Sequence, residues 1–142
     1  MCLWISVWWA RADGAVGGRM GRQKNVLGEP LSTCGTSPLT GWFRNGCCDT
    51  DARDFGSHTV CVRVTAEFLA FSKAQGNDLS SPAHEHGFPG LQPGDQWCLC
   101  AARWVEAFKA GVAPHVLLAC TNEAALEICD FKDLARYALD LN

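Results

Sequence analysis

The clearest hydrophobic pattern in the chain lies just after residue 100. Apolar residues recur there at spacings of three and four, which predicts a helix with one buried face. These residues are Ala101, Trp104, Val105 and Phe108. The turn-forming Pro-Gly-Asp at 93–95 comes before this helix, and Gly111 marks its end. Cys98 and Cys100 are therefore expected where the chain enters the helix.

Two stretches have the pattern of β-strands. His58–Val64 alternates valines with Thr, Cys and Arg, which is typical of a strand. His115–Cys120 is a short apolar run, and it predicts a buried strand. Trp42-Phe43, followed by Arg-Asn-Gly, has the composition of a strand edge that leads into a tight turn.

Helix-capping residues mark the remaining elements. Thr65 is placed to cap a helix that runs to about Gln75. Thr121 precedes a short helical pattern over 122–126, and Asp130 is placed to cap the last helix. Together these elements predict a single α+β domain in which about three main helices cover a small sheet.

The segments between the predicted elements are unusually long. Residues 28–46 are rich in Gly, Pro, Ser and Thr and are predicted to be loop and turn. Residues 77–96 form a long Pro/Gly/His-rich loop, which is either functional or a compact loop held by its apolar side chains. Residues 1–24 differ in composition and are predicted to be a poorly ordered extension of a domain that spans 25–142.

Composition excludes several classes of function. A hydrophobic content of 48% and a charged content of 19% are values of globular domains. The net charge of −3 gives no reason to expect nucleic acid or an anionic membrane as a partner. The chain also lacks a glycine-rich phosphate loop and a nucleophile elbow, so nucleotide hydrolysis and serine esterase chemistry are set aside.

Cysteine is abundant, with nine residues in 142. The number is odd, the spacings are irregular, and the chain is long enough to fold without disulfides. These features favour a reducing compartment with free or metal-bound thiols. We therefore expect a cytoplasmic protein.

Seven motifs resemble a known family of bacterial proteins, domain of unknown function 2237. They are NVLG at 25–28, GWFRNGCC at 41–48, HTVC at 58–61, EFLAFS at 67–72, GNDLSSP at 76–82, FPGLQPGDQWCLCAARWVEA at 88–107 and GVAP at 111–114. The resemblance implies a small single-domain α+β protein and places residues 1–24 outside the family domain. It implies no activity and no catalytic residues.

The sequence offers one set of candidate ligands for a soft metal such as zinc or iron, or for redox-active thiols. The set comprises Cys34, Cys47, Cys48, His58, Cys61, Cys98 and Cys100. Paired cysteines commonly supply zinc ligands, but adjacent cysteines point to opposite sides of an extended chain. A thiol at the start of a helix is also favoured as a thiolate, so redox chemistry is the second interpretation.

The alternative is a non-enzymatic module that binds a small molecule or a protein and whose cysteines only fill the core. Aromatic and polar residues are the candidates for its pocket. They are Trp42, Asn77, Asp78, Asp95, Trp97 and Arg103. Asp49, Asp51 and Asp54 are expected to be solvated turn carboxylates.

Overall fold

The domain is organised around the central strand of a three-stranded antiparallel sheet. This strand, β1, spans His58–Arg63 and confirms the prediction for 58–64. The computed structural model describes residues 23–141, so the predicted poorly ordered extension over 1–24 lies outside the described residues except for Gln23 and Lys24. The α+β class and the small sheet agree with the sequence prediction.

Strand β2 spans Gln96–Cys100 and pairs with β1 along its length. The sequence analysis did not predict this strand, because it has only five residues and a helix follows it directly. Cys98 lies opposite Cys61 in the register, and Trp97 lies opposite Val62. An irregularity in the pairing between His58 and Val60 ends the regular ladder near the start of β1.

The sheet separates two buried clusters of side chains. Because side chains alternate along a strand, Val60 and Val62 of β1 face the main hydrophobic core while Cys61 faces the opposite side. On β2, Leu99 faces the main hydrophobic core and Cys98 faces the opposite side. One face of the sheet therefore carries the apolar core, and the other carries cysteines.

Three α-helices pack on the apolar side. Helix α1 spans Ala66–Ala74, α2 spans Ala101–Lys109 and α3 spans Phe131–Arg136. The Thr65 hydroxyl accepts a hydrogen bond from the Phe68 amide, and the Asp130 carboxylate accepts one from the Lys132 amide. Both predicted caps are thus confirmed, and each satisfies an amide that the helix leaves without a partner.

Trp104 is the centre of the apolar core. Its side chain on α2 is fully buried, and its indole N–H donates to the Pro114 carbonyl at 3.2 Å. The ring stacks on Phe108 with centroids 5.2 Å apart and meets Tyr137 edge-on. The hydrogen bond satisfies the one polar group of the indole, so the whole ring can be buried.

The second predicted strand is shorter than the sequence indicated. Strand β3 covers only His115–Val116, and Leu118–Cys120 forms a 3₁₀ turn. The Asp140 carboxylate accepts hydrogen bonds from the amides of Leu118 and Ala119, which lets the chain leave the ladder with those groups satisfied. The next 3₁₀ helix, Glu123–Glu127, is capped by Asn122 rather than by Thr121.

Residues 23–57 contain no helix or extended strand, and they cover the cysteine-bearing face of the sheet. The strand edge expected at Trp42-Phe43 is wrong, because the chain forms turns there and Arg44 has a left-handed backbone at φ +56°. The long 77–96 loop is irregular up to Asp95, apart from a 3₁₀ turn at His84–His86. No helix among residues 23–141 is both long and apolar enough to cross a membrane.

Candidate functional site

Two disulfides fasten the irregular segment 23–57 to the sheet. Cys34 is bonded to Cys61 on β1, and Cys48 is bonded to Cys98 on β2. The expectation of only free or metal-bound thiols is therefore wrong for these four residues, and it is also wrong for Cys47, which is disulfide-bonded as well. The segment has no hydrogen-bonded ladder to hold it against the sheet, and the disulfides supply that connection.

The two disulfides lie against each other and form one cluster of sulfur atoms. The Sγ atoms of Cys34, Cys48 and Cys61 all lie within 4.8 Å of one another, although they belong to different disulfides. Cys98 completes the set as the partner of Cys48 and the cross-strand neighbour of Cys61. The four residues are almost fully buried, with exposures between 0% and 2%. This group, Cys34, Cys48, Cys61 and Cys98, is called the four-cysteine cluster below.

The other cysteines lie outside this cluster. Cys47 is buried beside Leu31 and faces away from Cys48, as adjacent residues of an extended chain do. Cys100 occupies the N-cap position of α2, where the sequence placed it, and its side chain makes no capping hydrogen bond. Among the described residues the free thiols are Cys100, Cys120 and Cys129.

Two of these free thiols are poor candidates for nucleophiles. Burial raises the pKa of Cys120 to about 11, and the nearby Asp140 carboxylate adds to the shift. Burial also raises the pKa of Cys129 to about 11, with a smaller contribution from Asp133. Because the thiolate is the reactive form, both thiols are protected at neutral pH.

A cavity of about 330 Å³ lies beside the cluster and shares Cys98 with it. Seven residues line the cavity: Gly41, Trp42, Arg44, His58, Leu79, Trp97 and Cys98. They come from four separate stretches of the chain, and every one of them falls within a family motif noted in the sequence. The fold thus brings those motifs to one place.

A buried carboxylate holds the His58 ring in position at this cavity. The Asp54 side chain is fully buried, and its Oδ1 lies 2.6 Å from Nδ1 of His58. Its Oδ2 accepts from the His58 amide at 2.9 Å and from the Thr50 hydroxyl at 2.9 Å. No hydrogen bond to Nε2 of His58 forms among residues 23–141, and the side chain is 39% exposed. His58 therefore has one fixed nitrogen and one available nitrogen.

Arg44 brings a positive charge to the same cavity. Its guanidinium donates to the Gly41 carbonyl at 3.1 Å and lies over the Trp97 ring, 5.3 Å from the centroid. No carboxylate of the described part of the chain forms a salt bridge with it. Most of its donors remain available to a bound molecule.

The structure divides the pocket candidates that the sequence named. Trp42 and Trp97 line the cavity, whereas Asn77, Asp78, Asp95 and Arg103 do not. Those four have local partners: the Asn77 carbonyl accepts from Ser72, Asp78 caps a turn, Asp95 accepts from the Gln92 amide, and Arg103 pairs with Glu106. These contacts stabilise turns and the exposed surface of α2, and none of them belongs to the cavity.

Asp54 and Arg44 were missed from the sequence. Asp54 was expected to be solvated and is instead buried with three hydrogen bonds, and Asp49 is also buried; only Asp51 is exposed. A signal was present, since a carboxylate four residues before a histidine across a Gly-Ser turn can reach the ring. Arg44 carried no such signal, because its position depends on the folding of an irregular segment.

Comparison with known protein families places almost the whole domain in one group. Comparison with curated proteins finds no match. Residues 24–138 match the family described as "Uncharacterized protein conserved in bacteria (DUF2237)". This range contains every residue of the cavity and of the four-cysteine cluster. The chain therefore belongs to the DUF2237 family.

Proposed function

We propose that this domain binds a small organic anion in the cavity beside the four-cysteine cluster. The observation that carries the proposal is the convergence of Arg44 and His58 on one cavity. Arg44 is a cation that has no carboxylate partner among residues 23–141, and His58 is held by the buried carboxylate of Asp54. A pocket with a few convergent polar groups is the usual form of a small-molecule site.

Arg44 would bind the negative group of the ligand. A guanidinium presents a fork of N–H donors that matches a carboxylate or a phosphate. Its contacts with the Gly41 carbonyl and the Trp97 ring limit where the fork can point. An anion bound there would supply the charge partner that Arg44 lacks.

His58 would exchange a proton or a hydrogen bond with the same ligand. Asp54 fixes Nδ1, so the ring cannot turn away without breaking a bond to a fully buried carboxylate. The available Nε2 is thereby kept at the cavity. This arrangement supports binding and would also support acid–base chemistry on a bound molecule.

The aromatic wall favours a ligand with a flat or apolar part. Trp42, Leu79 and Trp97 line the cavity together with the two polar residues. Phe88 packs on Trp97 at 5.1 Å between ring centroids, which holds that wall in place. A volume of about 330 Å³ lies at the small end of typical ligand sites. A compact carboxylate such as benzoate meets these requirements.

The test is a titration followed by NMR with three probes: benzoate, succinate and inorganic phosphate. The proposal expects saturable shifts of the His58 ring signals and of the Trp42 and Trp97 indole N–H signals. Arg44→Gln should remove the saturation. Arg103→Gln, which removes a cation from α2 outside the cavity, should leave it unchanged.

Either of two results would overturn the proposal. One is the absence of saturable shifts with all three probes in folded wild-type protein. The other is equal loss of binding in the Arg44 and Arg103 variants, which would indicate general charge attraction. Thermal unfolding of each variant checks that the fold is retained.

We also propose a cytoplasmic location, as the sequence predicted. Three thiols remain free in the described part of the chain, which supports this location. In the cytoplasm, cellular thiol systems would keep most disulfides reduced. Acid-quenching of cells followed by alkylation and mass spectrometry should then find the four-cysteine cluster labelled. Recovery of the intact Cys34–Cys61 and Cys48–Cys98 disulfides would contradict the proposed location.

A further inference from the structure

We propose that the four-cysteine cluster, when reduced, is a tetrahedral zinc site, and that the zinc ion then holds segment 23–57 in place of the two disulfides. This inference is independent of the anion proposed for the cavity. It assigns a metal to four named ligands: Cys34, Cys48, Cys61 and Cys98.

The positions of three of the four sulfur atoms fit a single ion. Three Sγ atoms from two different disulfides already lie within 4.8 Å of one another. Zinc–thiolate bonds of about 2.3 Å in a tetrahedron place sulfurs about 3.8 Å apart. The fourth sulfur, that of Cys98, lies outside this group of three and is bonded to Cys48, so its side chain must rotate towards the ion after the disulfide is reduced. The backbone positions are supplied by two paired strands and by the segment that covers them.

The other candidate ligands have contacts of their own or lie in a separate cluster. Cys120 packs against the cluster, but its thiol donates to the Thr33 carbonyl at 3.2 Å. Cys47 lies in a separate cluster with Leu31. His58 is bound to Asp54 at the cavity. Four sulfurs and no nearby nitrogen or carboxylate ligand is the donor set that zinc prefers in structural sites.

The chemistry balances in two steps. Two dithiol molecules of the thioredoxin class each give two electrons and two protons to one disulfide, which yields four cysteine thiols and two oxidised partners. One Zn²⁺ ion then binds four thiolates and releases four protons. Oxidation by a disulfide-bearing partner reverses the sequence and expels the ion.

The zinc ion would have the same structural role as the disulfides. Both disulfides connect the segment 23–57 to β1 and β2, so reduction alone would remove these two cross-links between the segment and the sheet. A zinc ion bound by two residues of the segment and two of the sheet restores the connection. A protein built in this way can keep its fold in a reducing compartment.

The experiment uses the full chain, reduced with a trialkylphosphine and freed of metal. Co²⁺ is titrated first, because a tetrahedral cobalt thiolate site has intense visible and sulfur-to-metal charge-transfer bands. Zn²⁺ should then bleach these bands at one equivalent. Thermal unfolding of the reduced protein should shift upward when zinc is present. Oxidised protein should bind neither ion.

Variants identify the ligands. Cys34→Ser and Cys98→Ser should each weaken zinc binding by at least roughly a hundredfold, since loss of even an outer-shell partner costs about 10- to 100-fold. Cys120→Ser keeps a hydroxyl donor for the Thr33 carbonyl and should bind like wild type. The proposal is overturned if reduced wild-type protein gives no tetrahedral cobalt spectrum. It is also overturned if Cys120→Ser weakens binding as much as Cys98→Ser does.

Discussion

The position of the His58 ring depends on the absence of a side chain at residue 56. A Cβ atom added at Gly56 would lie 2.9 Å from Cε1 of His58, closer than real Cβ contacts allow. Asp54 holds the ring through Nδ1, so movement of the ring away from an added Cβ would disturb that hydrogen bond. Gly56 and Asp54 therefore act as a pair that positions the histidine.

Gly56→Ala should disturb the cavity without unfolding the domain. We expect the affinity for benzoate to fall by up to about tenfold, which corresponds to about 1.4 kcal/mol. The His58 ring signals should also shift in the absence of ligand. Gly35→Ala is the matched control, because its Cβ would meet only ordinary contacts, the nearest at 3.5 Å. Unchanged His58 signals in the Gly56 variant would refute this role.

Asp49 gives a second test at single-residue scale, through pH. Burial raises the pKa of Asp49, while the Asn45 amide that donates to it at 3.0 Å acts in the opposite direction. A raised pKa in the folded state means that the stability contribution is present at low pH and lost as pH rises through that pKa. Wild type should therefore lose stability relative to Asp49→Asn between pH 4 and neutral pH.

Urea unfolding of both proteins across this pH range measures the difference. Asp51→Asn is the contrasting control. Its hydrogen bonds with Arg53 hold the pKa of Asp51 below the usual value, so its contribution is present at neutral pH and lost as pH falls. Above about pH 4, the usual pKa of an aspartate, the difference between Asp51→Asn and wild type should therefore stay constant, whereas the difference between Asp49→Asn and wild type should change with pH. Parallel slopes would show that burial does not control Asp49.

At the scale of elements, the junction of β2 and α2 shows why some elements could be predicted from sequence patterns and why β2 could not. Periodicity predicted α2 and β1, and capping residues marked the starts of α1 and α3, because each of these signals lies within a single element. Strand β2 has five residues and passes directly into α2, so the alternating pattern of a strand is too short to recognise before the helical pattern begins. The five-residue length also hides the alternation that sends Cys98 and Leu99 to opposite faces.

The edge of β2 is protected by a side chain from the irregular segment. The Thr40 hydroxyl is fully buried and accepts a hydrogen bond from the Cys98 amide at 2.8 Å. Thr40→Val keeps the shape of the side chain and removes the acceptor, so a buried amide loses its partner. We expect a loss of about 1–3 kcal/mol in the free energy of unfolding.

Chemical denaturation measures this loss, and Thr36→Val is the control because Thr36 is exposed and not far away in the same segment. Hydrogen exchange adds a local readout, since the Cys98 amide should lose protection in the Thr40 variant. Equal stability of the two variants would show that the Thr40 hydroxyl is not needed to cover this edge.

At the scale of the whole molecule, the cavity and the four-cysteine cluster depend on a segment that has no regular structure. Sequence patterns identified the cysteines of this segment and Trp42, yet they could not pair Cys34 with Cys61 or bring Arg44 to His58. These residues are brought together from distant parts of the sequence, so they produce no periodic pattern along the chain. The disulfides were not predicted because the odd number of cysteines, their irregular spacings and the length of the chain favoured free or metal-bound thiols, and the pairs are separated by 27 and 50 residues.

Loss of one disulfide should destabilise the segment 23–57 more than the apolar core. In the oxidised protein, Cys34→Ala/Cys61→Ala removes a bond that closes a 27-residue loop, and the chain-entropy estimate for such a loop is about 3–4 kcal/mol. Cys129→Ala, which removes a buried free thiol, should cost only about 1 kcal/mol. Urea unfolding in non-reducing buffer measures both values. Hydrogen exchange in the double variant should increase over 31–48 and stay unchanged in α2, because the apolar core on the other face of the sheet does not rely on this bond. A uniform increase across α2 would instead mean that both faces of the sheet unfold as one unit.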